Sequence, residues 1–379
     1  MIDIFLNAAR TIEPNAVSEE KQHGKLVVGY TCSYLPAEIL HAAHIIPMRL
    51  RGIETHSLEI ADSYYGPFIC TFPKCLLQLA SQGSYHFLDG AIISTGCDGM
   101  RRLDECWRKA GSDYHGSLPS FFHYFDVPHK RESYAISWFI EEIRKLIQHL
   151  KTHFNVKITD DAIRQSIQLY NHGRRLMFEL DSLRHTEQVR ISGAHAFAVS
   201  VAGTILPREL FTEQLALFLN HVKNTNTIMG KNQKRLMVVG SVNDDLELIE
   251  LIEQCGAIVV SEHLCFGIRN EDDLVNETGD PVAALADRYL SNSACPRMFG
   301  YFSERLNLVK EKIQKAHVHG VIMQNIRFCD LHGSENGLME HALEALGIPC
   351  MRIEREYGSL TETGRIKMRI QAFLERIES

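Results

Sequence analysis

The stretch Phe87-Leu-Asp-Gly-Ala-Ile-Ile-Ser-Thr-Gly-Cys97-Asp98 decides how the chain is read. Its apolar run, Leu88 to Ile93, is short and ends in Ser94, Thr95 and Gly96. That pattern predicts a buried parallel strand followed by a tight turn. The next segment, Gly99-Met-Arg-Arg-Leu-Asp-Glu-Cys-Trp107, predicts a helix with Leu103 and Trp107 on one side. Cys97 is therefore expected between a strand's carboxyl end and a helix's amino end, the edge at which open α/β sheets bind ligands. A helix amino terminus favours thiolate over thiol, because the dipole and free N–H groups stabilise negative charge. The competing reading is a buried, inert cysteine beside a turn, since free cysteine is among the most buried residue types.

The same rhythm extends on both sides. Residues 1–23 read as a short amphipathic helix and a polar linker ending at Gly24. Lys25 to Tyr30 predicts a strand, Thr31 to Pro36 a turn carrying Cys32, Ala37 to Ala43 a helix with Pro36 at its first turn, and Ile45 to Leu50 a second strand. Cys70 to Ala80 has helical spacing, and Leu118 to Val127 predicts a further strand. From 131 to 230 the pattern turns helical: Trp138 to Phe154, Asp160 to Leu180 and part of Ser192 to Leu219, closed by the polar run Asn224 to Lys234. Strands then return at Arg235 to Gly240, Ala257 to Ser261, Val318 to Asn325 and Ile348 to Ile353. Between and after them lie helices at Asp244 to Cys255, Pro281 to Leu290, Ser303 to His317, Leu338 to Leu346 and Gly364 to Ile377, with Glu262 to Cys265 in an exit loop. Alternating strands and helices predict an α/β protein of two Rossmann-like parallel-sheet lobes, residues 1–130 and 231–379, joined by a helical segment, 131–230.

Bulk properties narrow the function. The chain has 379 residues, 45% hydrophobic and 23% charged, which suits two or three ordinary globular cores. A formal net charge of −7 without a Lys/Arg block argues against binding nucleic acid. No stretch approaches a transmembrane span, and the opening residues are too short and too acidic for a signal peptide, so the expected compartment is the cytoplasm, with no membrane partner.

Ten cysteines need an account. A reducing compartment disfavours disulfides, and no CxxC pair suggests a zinc ribbon or a thioredoxin-type site. Yet Cys32, Cys97, Cys265 and Cys329 each follow an expected strand, Asp98 and Asp330 follow two of them, and Cys70 reaches the same edge if it opens its helix. Thiols gathered from distant loops suit an iron–sulfur cluster in a cleft. Zinc, or cysteines that merely fill the core, remain open on spacing alone. The nineteen histidines are scattered; His41, His44, His185, His195 and His332 are read as surface or core residues.

The residues that carry these features also carry a likeness. Gly29 to Glu38, Pro47 to Gly52, Leu88 to Asp98 with Arg101-Arg-Leu103, Phe328-Cys-Asp330, and the tail Glu354-Arg-Glu-Tyr357 with Arg365 to Glu375 run in order through nearly the whole chain. In them the sequence resembles the 2-hydroxyacyl-CoA dehydratase / benzoyl-CoA reductase family. The resemblance implies two Rossmann-like lobes around a 4Fe-4S cluster or a linked double-cubane cluster. It implies a homologous cluster subunit as partner, an ATP-hydrolysing iron–sulfur activator that injects one electron at very low potential, and a CoA-thioester substrate. The family's metal ligands fall on Cys97, Cys329 and Cys70, and Cys32 matches a cysteine found in many members. Cys75 and Cys265 would be neighbours, and catalytic residues are not assigned. Phe125 to Lys130 and the ending are more similar to benzoyl-CoA reductase subunits, an oxidoreductase of anaerobic aromatic degradation that dearomatises an aryl-CoA. The alternatives are a dehydratase subunit (a lyase) eliminating water through a ketyl radical, a non-catalytic structural subunit, and a double-cubane reductase of small molecules. His44 departs from the small residue expected there. Arg101 and Arg102 are read as pairing with Asp104 and Glu105 or as steering a phosphate, and His129 or His332 as proton donors.

Overall fold

The computed structural model describes residues 1–114, 116–225, 229–230, 232–271, 273–358, 360 and 362–378, the side chain of residue 378 excepted. Its strands are β1 (Leu26–Tyr30), β2 (Ile45–Arg49), β3 (Gly90–Ser94), β4 (Phe121–Phe125), β5 (Lys234–Gly240), β6 (Ala257–His263), β7 (Gly320–Ile326) and β8 (Cys350–Arg355). They form two four-stranded sheets, ordered β2-β1-β3-β4 and β6-β5-β7-β8, with every pairing parallel. The sequences explain the parallel arrangement. β3 is buried at every residue and β5 at five of its seven, and a sheet covered by helices on both faces needs such continuous apolar runs.

Both sheets have the same order, second-first-third-fourth, so β3 and β7 are counterparts. The chain reverses its direction of winding between β1 and β3, and again between β5 and β7. Ligands of open α/β sheets bind outside the carboxyl ends at that reversal. At the end of β5 only glycine is accommodated: Gly240 has φ +142°, and a Cβ there would lie 1.8 Å from the Gln324 carbonyl oxygen of β7.

The helical stretch braces both sheets. Ser133–Phe154 packs on β4 and on the helix Pro281–Ser291, whereas Asp160–His185 packs on Ala37–Ala42, on Arg208–Asn224 and on β6. Thr159 caps the second helix by accepting the Ala162 N–H, and Asn155, in the left-handed region, ends the first. Two buried ion pairs fasten Asp160–His185: Arg174 to Glu38 at 2.6 Å and Arg184 to Glu262 at 2.6 Å.

The lobes share one apolar core, in which Leu76 and Leu77 of the helix Thr71–Ser81 join Leu236, Val238 and Ile322 of the second sheet. They also share a buried ion pair. Arg51, just past β2, meets Asp244, past β5, at 2.7 Å, and both side chains are fully buried. Arg51 also donates to the carbonyls of Ala8 (2.8 Å) and Ala9 (2.6 Å). The Tyr357 hydroxyl donates to Asp244 (2.9 Å) and accepts the Gly52 N–H (2.8 Å).

Several elements differ from expectation. Asn15–Gln22 is a second amino-terminal helix rather than linker, and 192–224 holds two helices, Gly193–Ala202 and Arg208–Asn224. Glu262 and His263 belong to β6 rather than to its exit loop. The helix expected from Leu338 begins at Asp330, directly after Cys329. The expected polar run, Asn224 to Lys234, lies partly outside the described residues. Nor are all the histidines scattered: His123 and His149 meet at 2.9 Å through their Nδ1 atoms, and His153 shares with them the ring of Phe121.

Two measurements check this packing. Asp244→Ala leaves the Arg51 charge buried and uncompensated, and should lower unfolding stability by about 3–5 kcal/mol in denaturant titrations. Burial, with His149 beside it, lowers the His123 pKa to about 4. The unfolded imidazole takes a proton near pH 6.5 and the folded one does not, so this contribution is full above pH 6.5 and is lost as pH falls toward 4. Thermal melts across that window should show a shallower pH slope for His123→Phe than for the parent.

Candidate functional site

Three cysteines hold the same local position. Cys70 precedes the helix Thr71–Ser81, Cys97 precedes Asp98–Asp113, and Cys329 precedes Asp330–Glu344, each as the N-cap residue. Cys97 follows β3 and Cys329 follows β7, so the two Cys-Asp pairs stand at corresponding points of the two sheets. Cys70 opens its helix, which brings it to the same edge. They are near enough to disfavour one another's ionisation: Cys329 and Cys97 raise the pKa of Cys70, and Cys97 raises that of Cys329. All ten cysteines are free.

Around these thiols stand three more. Cys32, in the turn after β1, interacts with Cys97, and Cys265, after β6, with Cys329. Cys295 interacts with Cys32, Cys97 and Cys329. Sequence reasoning missed Cys295, because it sits in the loop between Pro281–Ser291 and Phe302–Lys315 with no strand before it. Cys75, by contrast, is buried in the apolar core, and its charged neighbours are Asp244, Glu356 and Asp62 rather than other thiols.

The helix termini do not produce thiolates here. N–H groups of Gly99 and Met100 face Cys97, and those of Phe72 and His332 face Cys70 and Cys329, each favouring the anion. None closes into a full side-chain cap hydrogen bond. Burial is the larger effect. It pushes Cys97 up to about 11 and Cys329 to about 12, and raises Cys70 well above its ordinary value. The expected thiolate preference is therefore overturned by desolvation, and the thiols are neutral near pH 7. Such a set of soft donors is the kind that iron–sulfur clusters and thiophilic metals take, with deprotonation coupled to binding. Among the described residues no three Cys, His, Asp or Glu side chains form a group that could hold a metal ion.

Two exposed aromatic rings lie near the thiols in sequence. Phe68 and Phe328, close in sequence to Cys70 and Cys329, meet edge-on at 5.6 Å across the lobes. Phe328 has φ +62°, a strained conformation for a bulky residue, and holds its ring exposed directly before Cys329.

A cavity of about 480 Å³ opens beside Cys97, at the carboxyl ends of β3 and β4. Tyr124, Tyr134 and Trp138 form its aromatic wall, and Arg101, His129 and Lys130 line it together with the carboxylates of Asp98 and Asp126. The two arginines of the sequence reading separate here. Arg102 pairs with Glu105, Arg108 pairs with Asp104, and the exposed Arg101 lines the cavity. His129 donates Nδ1–H to the Arg297 carbonyl at 2.8 Å, and burial lowers its pKa. Burial also lowers the His332 pKa, to about 3. Both rings are therefore neutral near pH 7 and carry no imidazolium proton to give. Among the described residues, no helix is long and apolar enough to cross a membrane.

In the protein without metal, Cys97 and Cys329 should alkylate slowly with iodoacetamide at pH 8 compared with an ordinary thiol, as read by peptide mass spectrometry. Rapid labelling of both at pH 7 would contradict the desolvated environment.

The sequence is similar to proteins of known activity. The chain is 28% identical over 319 residues to one of the subunits of benzoyl-CoA reductase of Thauera aromatica, covering 82% of this chain and 81% of that one. It is 23% identical over 380 residues to the (R)-phenyllactyl-CoA dehydratase beta subunit of Clostridium sporogenes, covering 99% of each. It is 24% identical over 379 residues to the beta subunit of (R)-2-hydroxyglutaryl-CoA dehydratase of Acidaminococcus fermentans, covering 95% of each. Residues 32–377 match the family described as 2-hydroxyglutaryl-CoA dehydratase, D-component, and the chain, an enzyme subunit by these relatives, belongs to that family.

Proposed function

We propose that this protein is the iron–sulfur subunit of a low-potential, ATP-driven reductase that acts on an aryl-CoA thioester. The observation that carries the proposal is the placing of Cys70, Cys97 and Cys329, three free thiols each at a helix amino terminus, with Cys97 after β3 and Cys329 after its counterpart β7. An all-sulfur donor set with flanking N–H groups fits a cubane cluster in its chemistry. When bound, such a cluster supplies one-electron transfer at low potential. Cys70, Cys97 and Cys329 would hold it, with Cys32 beside them.

The remaining work falls to the chain's own residues. Aromatic groups at the cavity beside Cys97 offer an apolar wall to an aryl group, and Arg101 and Lys130 offer positive charge to CoA phosphates. The aromatic wall favours an aryl over a short aliphatic acyl group, as does the name of the Thauera relative. The dehydratase subunits named above keep water elimination from a 2-hydroxyacyl-CoA as the alternative. A homologous subunit and a separate ATP-hydrolysing activator would complete the enzyme.

A second reading of the cofactor has its own observation. Cys32, Cys265 and Cys295 bring the thiols around the site to six, enough for a linked double cubane. Metal analysis separates the two: about four irons per chain for a single cubane, about twice that for the linked pair.

The test is iron and acid-labile sulfide, with electron paramagnetic resonance, on anaerobically purified protein. Cys97→Ala and Cys329→Ala should each remove the cluster while circular dichroism stays native. A wild type that remains iron-free after reconstitution with its partner would end the proposal. Arg101→Ala should raise KM for the CoA thioester about five- to tenfold with kcat little changed, the signature of a lost binding contact away from the reacting bond. Assays with benzoyl-CoA and with a 2-hydroxyacyl-CoA, partner and activator present, decide between the reactions.

A further inference from the structure

Most buried arginines in this protein are matched by carboxylates. Arg51, Arg174, Arg184, Arg208, Arg305 and Arg355 each meet one: Asp244, Glu38, Glu262, Glu271, Glu335 and Asp245 respectively. Arg288 stands in the field of Glu38 and Glu271. Arg49, Arg269 and Arg297 are equally buried, at 2%, 4% and 2% exposure, yet form no ion pair with a carboxylate among the described residues. A buried guanidinium without a counter-charge is costly, so these three ask for an explanation.

All three border the thiols. Arg49, ending β2, donates Nη2–H to the sulfur of Cys265 at 3.2 Å and Nη1–H to its carbonyl, while its Nε has no partner. Its guanidinium lies 3.7 Å above the Phe266 ring and acts electrostatically on Cys32. Arg297, two residues after Cys295, donates to the carbonyls of Thr95 (2.9 Å), Val127 (2.7 Å) and Pro128 (2.9 Å). Its charge favours the anion of Cys32, and its Nε is also unpartnered. Arg269 donates to the carbonyl of Ala294, next to Cys295. The site therefore has two unlike halves. Cys70, Cys97 and Cys329 face helix N–H groups, whereas Cys32, Cys265 and Cys295 stand among unneutralised guanidinium groups.

We infer that Arg49, Arg269 and Arg297 are the built-in counter-charge of an anionic, thiolate-ligated cluster, and that they set its reduction potential. They are positioning residues: they act through the Cys32, Cys265 and Cys295 half of the site. Thiolate ligation leaves an iron–sulfur site negatively charged, and adding an electron makes it more so. Nearby buried cations favour the reduced state, so removing one lowers the potential. The same cations have no counter-charge while the cluster is absent. The two states of the protein should then respond in opposite senses to losing one. This inference rests on the cluster reading above.

The test uses the full-length protein, empty and anaerobically loaded, with Arg49→Met and Arg297→Met as near-isosteric neutral variants and Arg49→Lys as the charge-keeping one. In thermal melts, the empty Met variants should be at least as stable as the empty parent, while the loaded ones should be less stable than the loaded parent. In redox titrations followed by electron paramagnetic resonance, the Met variants should shift to more negative midpoint potential, and Arg49→Lys should stay near the parent. Equal loss of stability in both states, failure of both Met variants to fold, or an unchanged potential in loaded variants would each make the arginines structural and overturn the inference. A parent that binds no iron would instead sink the cluster reading itself, and this inference with it.

Discussion

The Arg51–Asp244 ion pair joins the end of one sheet to the end of the other, and the thiol cleft depends on that junction. Arg51 follows β2 and Asp244 follows β5, so their contact turns the carboxyl edges of both sheets toward one another. Each charge is fully buried; Arg51 also donates to backbone carbonyls, and Asp244 Oδ2 also accepts from the Tyr357 hydroxyl while its Oδ1 has no partner. Such a pair adds little net stability over an apolar contact of equal fit, but a broken one is severely destabilising, so it enforces one arrangement of the lobes. Within that arrangement the corresponding Cys97-Asp98 and Cys329-Asp330 corners face each other, and Cys70 completes the group.

The corners themselves follow from local sequence. A buried apolar strand ends in small or strained residues, a cysteine takes the N-cap position, and an aspartate opens the helix in its favourable first turn. The design places sulfur among amide donors while burial keeps it protonated. A thiol of this kind is inert alone and becomes a strong ligand once a metal displaces its proton. The backbone strain at Phe328, one residue before Cys329, belongs to the same corner.

Much of the fold and of the thiol edge is legible in the sequence. Continuous apolar runs such as Ala91-Ile-Ile93 and Leu236-Met-Val-Val239 announce buried parallel strands, and the cysteines after β1, β3, β6 and β7 announce the edge. What stayed hidden has physical causes. The helix from Asp330 carries Gly333 and Gly337 in its first half, which masks its beginning. Asn15–Gln22 buries only Val17, too little for a periodic signal. Cys295 lies in an irregular loop, and only the tertiary fold brings it to the other thiols. The raised thiol pKa values could not be read from a helix-dipole argument, because desolvation is a property of the whole surroundings.

The charge pattern ties these levels together. Among the described residues, Arg51, Arg174, Arg184, Arg208, Arg305 and Arg355 pair with carboxylates, whereas Arg49, Arg269 and Arg297 lie where the thiols gather. The central claim is that this cleft holds an iron–sulfur group. Anomalous diffraction at the iron edge, on crystals grown anaerobically from reconstituted protein, tests it most directly. Iron peaks bonded to the sulfurs of Cys70, Cys97 and Cys329 are expected. Crystals of fully reconstituted protein with no iron between these three sulfurs would contradict it.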